Sequence, residues 1–194
     1  MSAVDIVGPE ALPRLQEQVE QILAEARRQG ASACEVAVSV EQGLSTTVRQ
    51  REVETVEFNR DQGFGITLYS GQRKGSASTS ATGPEAIRET VAAALAIAEH
   101  ASEDEFAGLA DASLMAGQLA DLDLYHPWAI SPEQSIELAL ECEESAFAAD
   151  SRISNADGTS LSSHRGCRVY GNSHGFVGSY ASTRHSLSCV MIAE

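Results

Sequence analysis

Aromatic side chains are scarce in this sequence, 5% of 194 residues with a single Trp, so any core has to be built from aliphatic residues and alanine. The apolar share of 43% is sufficient for one, since chains of this size bury roughly 70% of the surface they expose unfolded. Basic residues are few, 13 against 28 acids, and the net charge is -15. A field of that sign repels phosphate backbones and anionic lipid, so no nucleic-acid partner is expected. Long apolar runs are missing too: the Ala-rich stretches fall well short of the ~20 residues a membrane span requires. The first ten residues lack the basic and apolar regions of a secretion leader. No membrane contact is expected, and the expected compartment is the cytoplasm. Four cysteines, Cys34, Cys142, Cys167 and Cys189, are scattered without a C-x-x-C pair, which reads as reduced thiols packed mostly as small hydrophobes.

What is present reads as alternating helix and strand. Leu12, Leu15, Val19, Ile22, Leu23 and Ala26 recur at helical spacing, and Gly30 supplies a stop. Period two begins at Cys34, with Val36, Val38 and Val40 on the same side of a half-buried strand. Gln42-Gly43 is read as a turn into a second extended run over 44–58. A third strand carries Phe64, Ile66 and Leu68, and a turn at 70–72 leads to a fourth over 73–80, giving four antiparallel strands in meander order. Thr82-Gly83-Pro84-Glu85 has the form of a capping box opening a second helix, and Ser131-Pro132-Glu133-Gln134 repeats it for a third. In that third helix Ile136, Ala139, Leu140, Glu143 and Phe147 fall on one side, with Glu143 placed at the stripe's edge.

Residues 102–127 mix acids, Gly and isolated Leu without a period, which predicts a long surface excursion. Beyond residue 153 a second antiparallel set of strands is expected, with turn candidates at Ala156-Asp157-Gly158 and at 172–175. The class is α+β, antiparallel sheets packed against about three amphipathic helices. Residues 1–194 form an N-terminal α+β domain of a longer protein in this reading, with sub-blocks of about 10–101 and 130–194 joined by an acidic loop. The final extended apolar run ends without a turn signal, which leads us to expect a further C-terminal domain.

No chemical motif is complete. Gly171-Asn172-Ser173-His174-Gly175 matches G-x-S-x-G, yet strand-like residues come after it and no aspartate comes after Ser173, so an Asn and Gly hairpin turn is favoured over a nucleophile elbow. The histidines His100, His126, His164, His174 and His185 contain no helical zinc pair, although His164, His174 and His185 would converge if neighbouring strands aligned them. The glycines at Gly63, Gly65, Gly71 and Gly75 complete neither a dinucleotide fingerprint nor a Walker motif. Acids such as Glu103, Asp104, Glu105, Asp121 and Asp123 read as a solvated face.

Taken in order, several strings resemble the N-terminal region of the TldD/PmbA family, in its PmbA or TldE branch, also known as modulator of DNA gyrase. They are VETVEF at 53–58, GQRKGSAS at 71–78, DLDL at 121–124, SPE at 131–133, Glu143 with DSRI at 150–153, NSHGF at 172–176 and CVMIAE at 189–194. The resemblance implies a bacterial subunit that pairs with a TldD-like partner to cleave peptides or unfolded proteins. It places zinc in that partner, leaves no metal, cofactor or catalytic residue in this chain, and makes Asn172, Ser173, Gly175 and Phe176 turn or peptide-contact residues. A homodimer is an alternative assembly. Two other functional readings stand beside it: a non-enzymatic interaction module using a β-edge, and a serine hydrolase built on Ser173. Gly- and Ser-rich strands at 75–80 and 178–188 offer little bulk against the pairing of an extended peptide, unless a helix layer covers them.

Overall fold

The computed structural model describes residues 7–194; the opening residues read for a secretion leader therefore lie in part outside the described residues. Helix α1, Leu12–Arg28, is followed by strands β1, Ala33–Arg49, β2, Glu52–Ser70, and β3, Arg73–Thr79, then by helix α2, Pro84–His100. After the irregular stretch come helix α3, Pro132–Ala149, and strands β4, Ile153–Asn172, and β5, Val177–Ala193. The strands form one antiparallel five-stranded sheet in the order β3-β2-β1-β4-β5, so the class is α+β as the periodicities predict.

The chain divides into two compact units. One holds the described residues up to Val40 with Asp61–Asp123 and Gly166–Ala181; the other holds Glu41–Arg60, Leu124–Arg165 and Ser182–Glu194. These units interleave along the sequence. Long hairpins are the reason, since each carries the chain out of one unit and back.

In the first unit the helical stripe and the period-two strand meet as their spacing dictates. Leu15, Val19, Ile22 and Ala26 of α1 and Val36, Val38, Phe64, Ile66 and Leu68 of the strands belong to one buried cluster, joined by Ile87, Val91 and Ala94 of α2. Each fully buried aliphatic side chain of this kind contributes about 1.5–3 kcal/mol. Helix α2 begins with Pro84 at its first position as expected, but its cap is Gly83 without a side-chain hydrogen bond, so the expected box at Thr82 does not form. Helix and sheet approach closely at Gly75 of β3. A Cβ there would overlap the Ala94 carbonyl oxygen and lie 2.5 Å from the Ala98 amide nitrogen. The Gly- and Ser-rich strand from residue 75 is thus covered by a helix.

The second unit packs α3 through small and polar side chains. Ser135 and Thr46, both fully buried, share a hydroxyl hydrogen bond of 2.6 Å. The capping box of α3 forms in full: Gln134 donates its amide N–H to Ser131 Oγ and returns its side-chain oxygen to the Ser131 amide. Ser131→Ala should lower stability by about 1 kcal/mol, measured by urea denaturation, whereas Ser131→Asp should leave it nearly unchanged.

Three sequence expectations change here. Gln42-Gly43 is not a turn: β1 runs straight through it to Arg49, so the four short strands become the three long ones β1, β2 and β3. Gly43 is small because the His164 imidazole of β4 occupies the place of its side chain. The reversal instead falls at Gln50 and Arg51, both in the left-handed region at φ 53° and 63°. Glu143 is the second change; it is fully buried, not at a stripe's edge, and its carboxylate accepts the Gln50 amide at 3.1 Å and the Arg51 amide at 2.6 Å. The Arg51 guanidinium also lies 5.0 Å from the centre of the Phe147 ring.

Third, Asp157-Gly158 stays inside β4. Buried positions there change from even, Ala156, to odd, Thr159 and Leu161, with Gly158 at φ 138°. That is a bulge, which absorbs one extra residue without ending the strand.

Candidate functional site

The turn at 172–175 joins β4 to β5 where the sequence places it. Gly175 takes φ 86°, its amide donates to the Asn172 carbonyl at 3.1 Å, and the His174 amide donates to Asn172 Oδ1 at 3.1 Å. Asn172, nearly fully buried, also donates from Nδ2 to the Tyr170 hydroxyl at 3.4 Å and to the Met115 sulfur at 3.3 Å. Tyr170 in turn donates to Glu35 Oε2 at 2.8 Å. Burial above all, with the Glu35 carboxylate adding to it, pushes the Tyr170 phenol up from its ordinary value.

Ser173 is held on both its polar groups. Its amide donates to the Cys34 carbonyl at 2.9 Å, and its hydroxyl oxygen accepts the Cys34 amide at 3.1 Å. The chain leaves this turn as strand β5, where a nucleophile elbow requires a helix. Ser173 therefore latches β1 to the turn, and the G-x-S-x-G match carries no hydrolase geometry. Of the four singled-out residues, Asn172 and Ser173 face inward, Gly175 is exposed and Phe176 is half-buried against the Tyr170 ring, 6.0 Å between centroids.

The histidines His164, His185 and His174 serve separate neighbourhoods. His164 lies over Gly43, with Nδ1 3.5 Å from Glu41 Oε1 and Nε2 3.5 Å from Ser45 Oγ. His185 contacts Ser163 Oγ through Nδ1 and the His126 carbonyl through Nε2, each at 3.0 Å, with the Trp128 ring edge-on at 5.6 Å. His174 is exposed at the turn. Among the described residues no three His, Cys, Asp or Glu side chains are grouped to hold a metal ion, so the donor set that zinc requires is not found there. None of the helices is long and apolar enough to cross a membrane, among the described residues.

The feature that sequence reasoning passed over is an open sheet edge. Strand β3 pairs with β2 only from Phe64 to Ser70. The 52–63 stretch of β2 runs past that register, and residues 52–61 are all exposed, Phe58 at 67% and Val53 at 47% among them. At about 3.3 Å per residue those ten residues make an edge of roughly 33 Å. Exposed strand edges of this length bear backbone N–H and C=O groups ready to pair with another chain. The VETVEF string signalled a strand, but only the sheet order shows that one of its edges is uncovered.

Comparison with known proteins places this architecture. Residues 34–98 match the family model described as PmbA/TldA metallopeptidase domain 1, and residues 125–194 match the PmbA/TldA metallopeptidase central domain. A protein named Metalloprotease PmbA from Escherichia coli O157:H7 is 52% identical over 172 residues, which cover 89% of this chain and 38% of that protein. A Metalloprotease PmbA homolog from Haemophilus influenzae is 52% identical over 167 residues, 86% of this chain and 37% of the relative. The chain thus spans well under half the length of these curated relatives.

Among solved structures, a putative modulator of DNA gyrase from Bacteroides thetaiotaomicron superposes with a TM-score of 0.82 at 22% identity, covering 92% of this chain and 41% of that one. TldE from Thermococcus kodakarensis superposes at 0.76 and 18% identity, over 91% of this chain and 39% of its own. These two likenesses establish the fold. With two domain models of one family in sequence order and relatives at 52% identity, the chain belongs to the PmbA/TldD metallopeptidase family, in its PmbA branch.

Proposed function

We propose that this chain is the N-terminal portion of a PmbA/TldE-like subunit that encloses extended peptides and presents them for zinc-dependent proteolysis carried out by a TldD-like partner. The observation that carries the reading is the open β2 edge over 52–63, exposed on both faces along 52–61 and long enough to pair with a peptide of several residues. Pairing along an edge reads backbone and not side chains, which suits substrates of varied sequence. Metal chemistry belongs to the partner in this proposal, and this chain's contribution is to hold the peptide extended. The cytoplasm is the compartment that fits reduced thiols and a TldD-like partner. Of the two Gly- and Ser-rich strands, the one from residue 75 lies against α2, and the Thr183 amide of the outer strand β5 already donates to the Leu124 carbonyl at 2.9 Å, which leaves β2 as the available edge.

The test is a reconstitution of the full-length protein with a TldD-like subunit and an unstructured reporter peptide. Chelator-sensitive cleavage is expected, and the double substitution Val56→Asp with Phe58→Asp should slow it severalfold while circular dichroism stays unchanged, since both side chains are exposed. Cleavage at the original rate in that variant would remove the edge from the mechanism. Failure to recover any TldD-like complex, with binding to some other protein through the same edge, would favour the interaction module instead.

A further inference from the structure

Three sulfur atoms meet between α3 and β5, and neither the open edge nor the 172–175 turn uses them. The Cys142 thiol of α3 neighbours that of Cys189 of β5. Two residues along, on the same face of the strand, Met191 brings its sulfur to 3.3 Å from Cys189 Sγ. From the neighbouring strand β4 the fully buried Thr159 donates its hydroxyl to Cys189 Sγ at 3.0 Å. All four residues belong to one compact unit, and the three sulfur-bearing residues are half-buried, so the cluster is shielded without being sealed.

The donor types decide what such a cluster can hold. Zinc in a structural site takes four nitrogen or sulfur ligands, and calcium or magnesium take oxygen. Two thiolates and a thioether with no imidazole or carboxylate in the group suit soft cations, Cu(I) foremost. We propose that Cys142, Cys189 and Met191 form a binding site for Cu(I), with Thr159 as the hydroxyl that orients Cys189. This site is independent of the peptide edge, and the failure of either proposal leaves the other standing.

Ligation requires both thiols to give up their protons. Binding of the metal therefore releases protons.

The experiment uses the full-length protein, reduced and kept anaerobic, titrated with Cu(I) against a chromogenic Cu(I) chelator. One equivalent per chain should be withdrawn from the chelator, and the melting temperature should rise on loading. Cys142→Ser and Cys189→Ser should each abolish both effects, Met191→Leu should weaken binding, and Thr159→Val should weaken it about tenfold. Cys167→Ala, which alters a core thiol outside the cluster, should leave the stoichiometry intact. Withdrawal of Cu(I) that persists in Cys189→Ser would overturn the site. So would the absence of any uptake by the unaltered chain, or the recovery of Cys142 and Cys189 as a disulfide without bound metal under the same conditions.

Discussion

Glu143→Ala should lower the unfolding free energy by about 3 kcal/mol, read from urea denaturation. The carboxylate is fully buried and accepts two backbone amides at the tip of the β1–β2 hairpin. Hydrogen bonds to a charged group contribute about 1.5–3 kcal/mol each, and the loss is partly offset here because the exposed tip can bond to water. The tip also needs the help, since Gln50 and Arg51 both occupy the left-handed region, at a cost on the order of 1 kcal/mol or more per residue. Glu143→Gln keeps the shape but turns a donor toward one of the two amides, so about half the loss is expected. Placing Asn and Gly at positions 50 and 51 relieves the strain. In the Glu143→Ala background that double change should recover more stability than it adds to the unaltered chain. Equal gains in both backgrounds would mean that the carboxylate does not hold the turn.

The second large effect is expected at Gly75. A methyl group there meets helix backbone, the Ala94 carbonyl oxygen and the Ala98 amide and Cα, and backbone cannot turn aside. Gly75→Ala should therefore cost about 3 kcal/mol, near the upper end of the usual range for overpacking. Gly43→Ala provides the contrast, because the group above Gly43 is the His164 imidazole, a side chain that can rotate away. A cost of about 1 kcal/mol is expected there. Thermal unfolding of the two variants side by side checks the ranking. Comparable losses would show that the imidazole is as fixed as the helix.

These residues also mark the limits of what the sequence reveals. The helical stripe from Leu15 to Ala26 and the alternation at Val36 and Val38 depend on neighbours a few positions away, and the structure buries them as the spacing requires. Ser131 and Gln134 make a local cap for the same reason. By contrast, Gln42-Gly43 has the chemistry of a turn, and only His164, far along the chain, explains why a glycine is needed inside a strand. The true reversal at Gln50 and Arg51 carries no turn signature, because its stabiliser is Glu143 on a distant helix. Asp157-Gly158 shows the same ambiguity, since positive φ suits a bulge as well as a turn. At the candidate site the 172–175 turn is legible from its own residues. The open edge is not, because it depends on how far β3 extends along β2.

The interleaving of the two compact units has a consequence for biosynthesis. Because each unit is assembled from three separate pieces of chain, neither is complete until residues beyond 165 have left the ribosome. Vectorial folding, one finished block after another, is denied to this molecule, and no single contiguous stretch could be expressed to yield either half alone. The nascent chain must keep its apolar strands unaggregated until the last hairpin arrives.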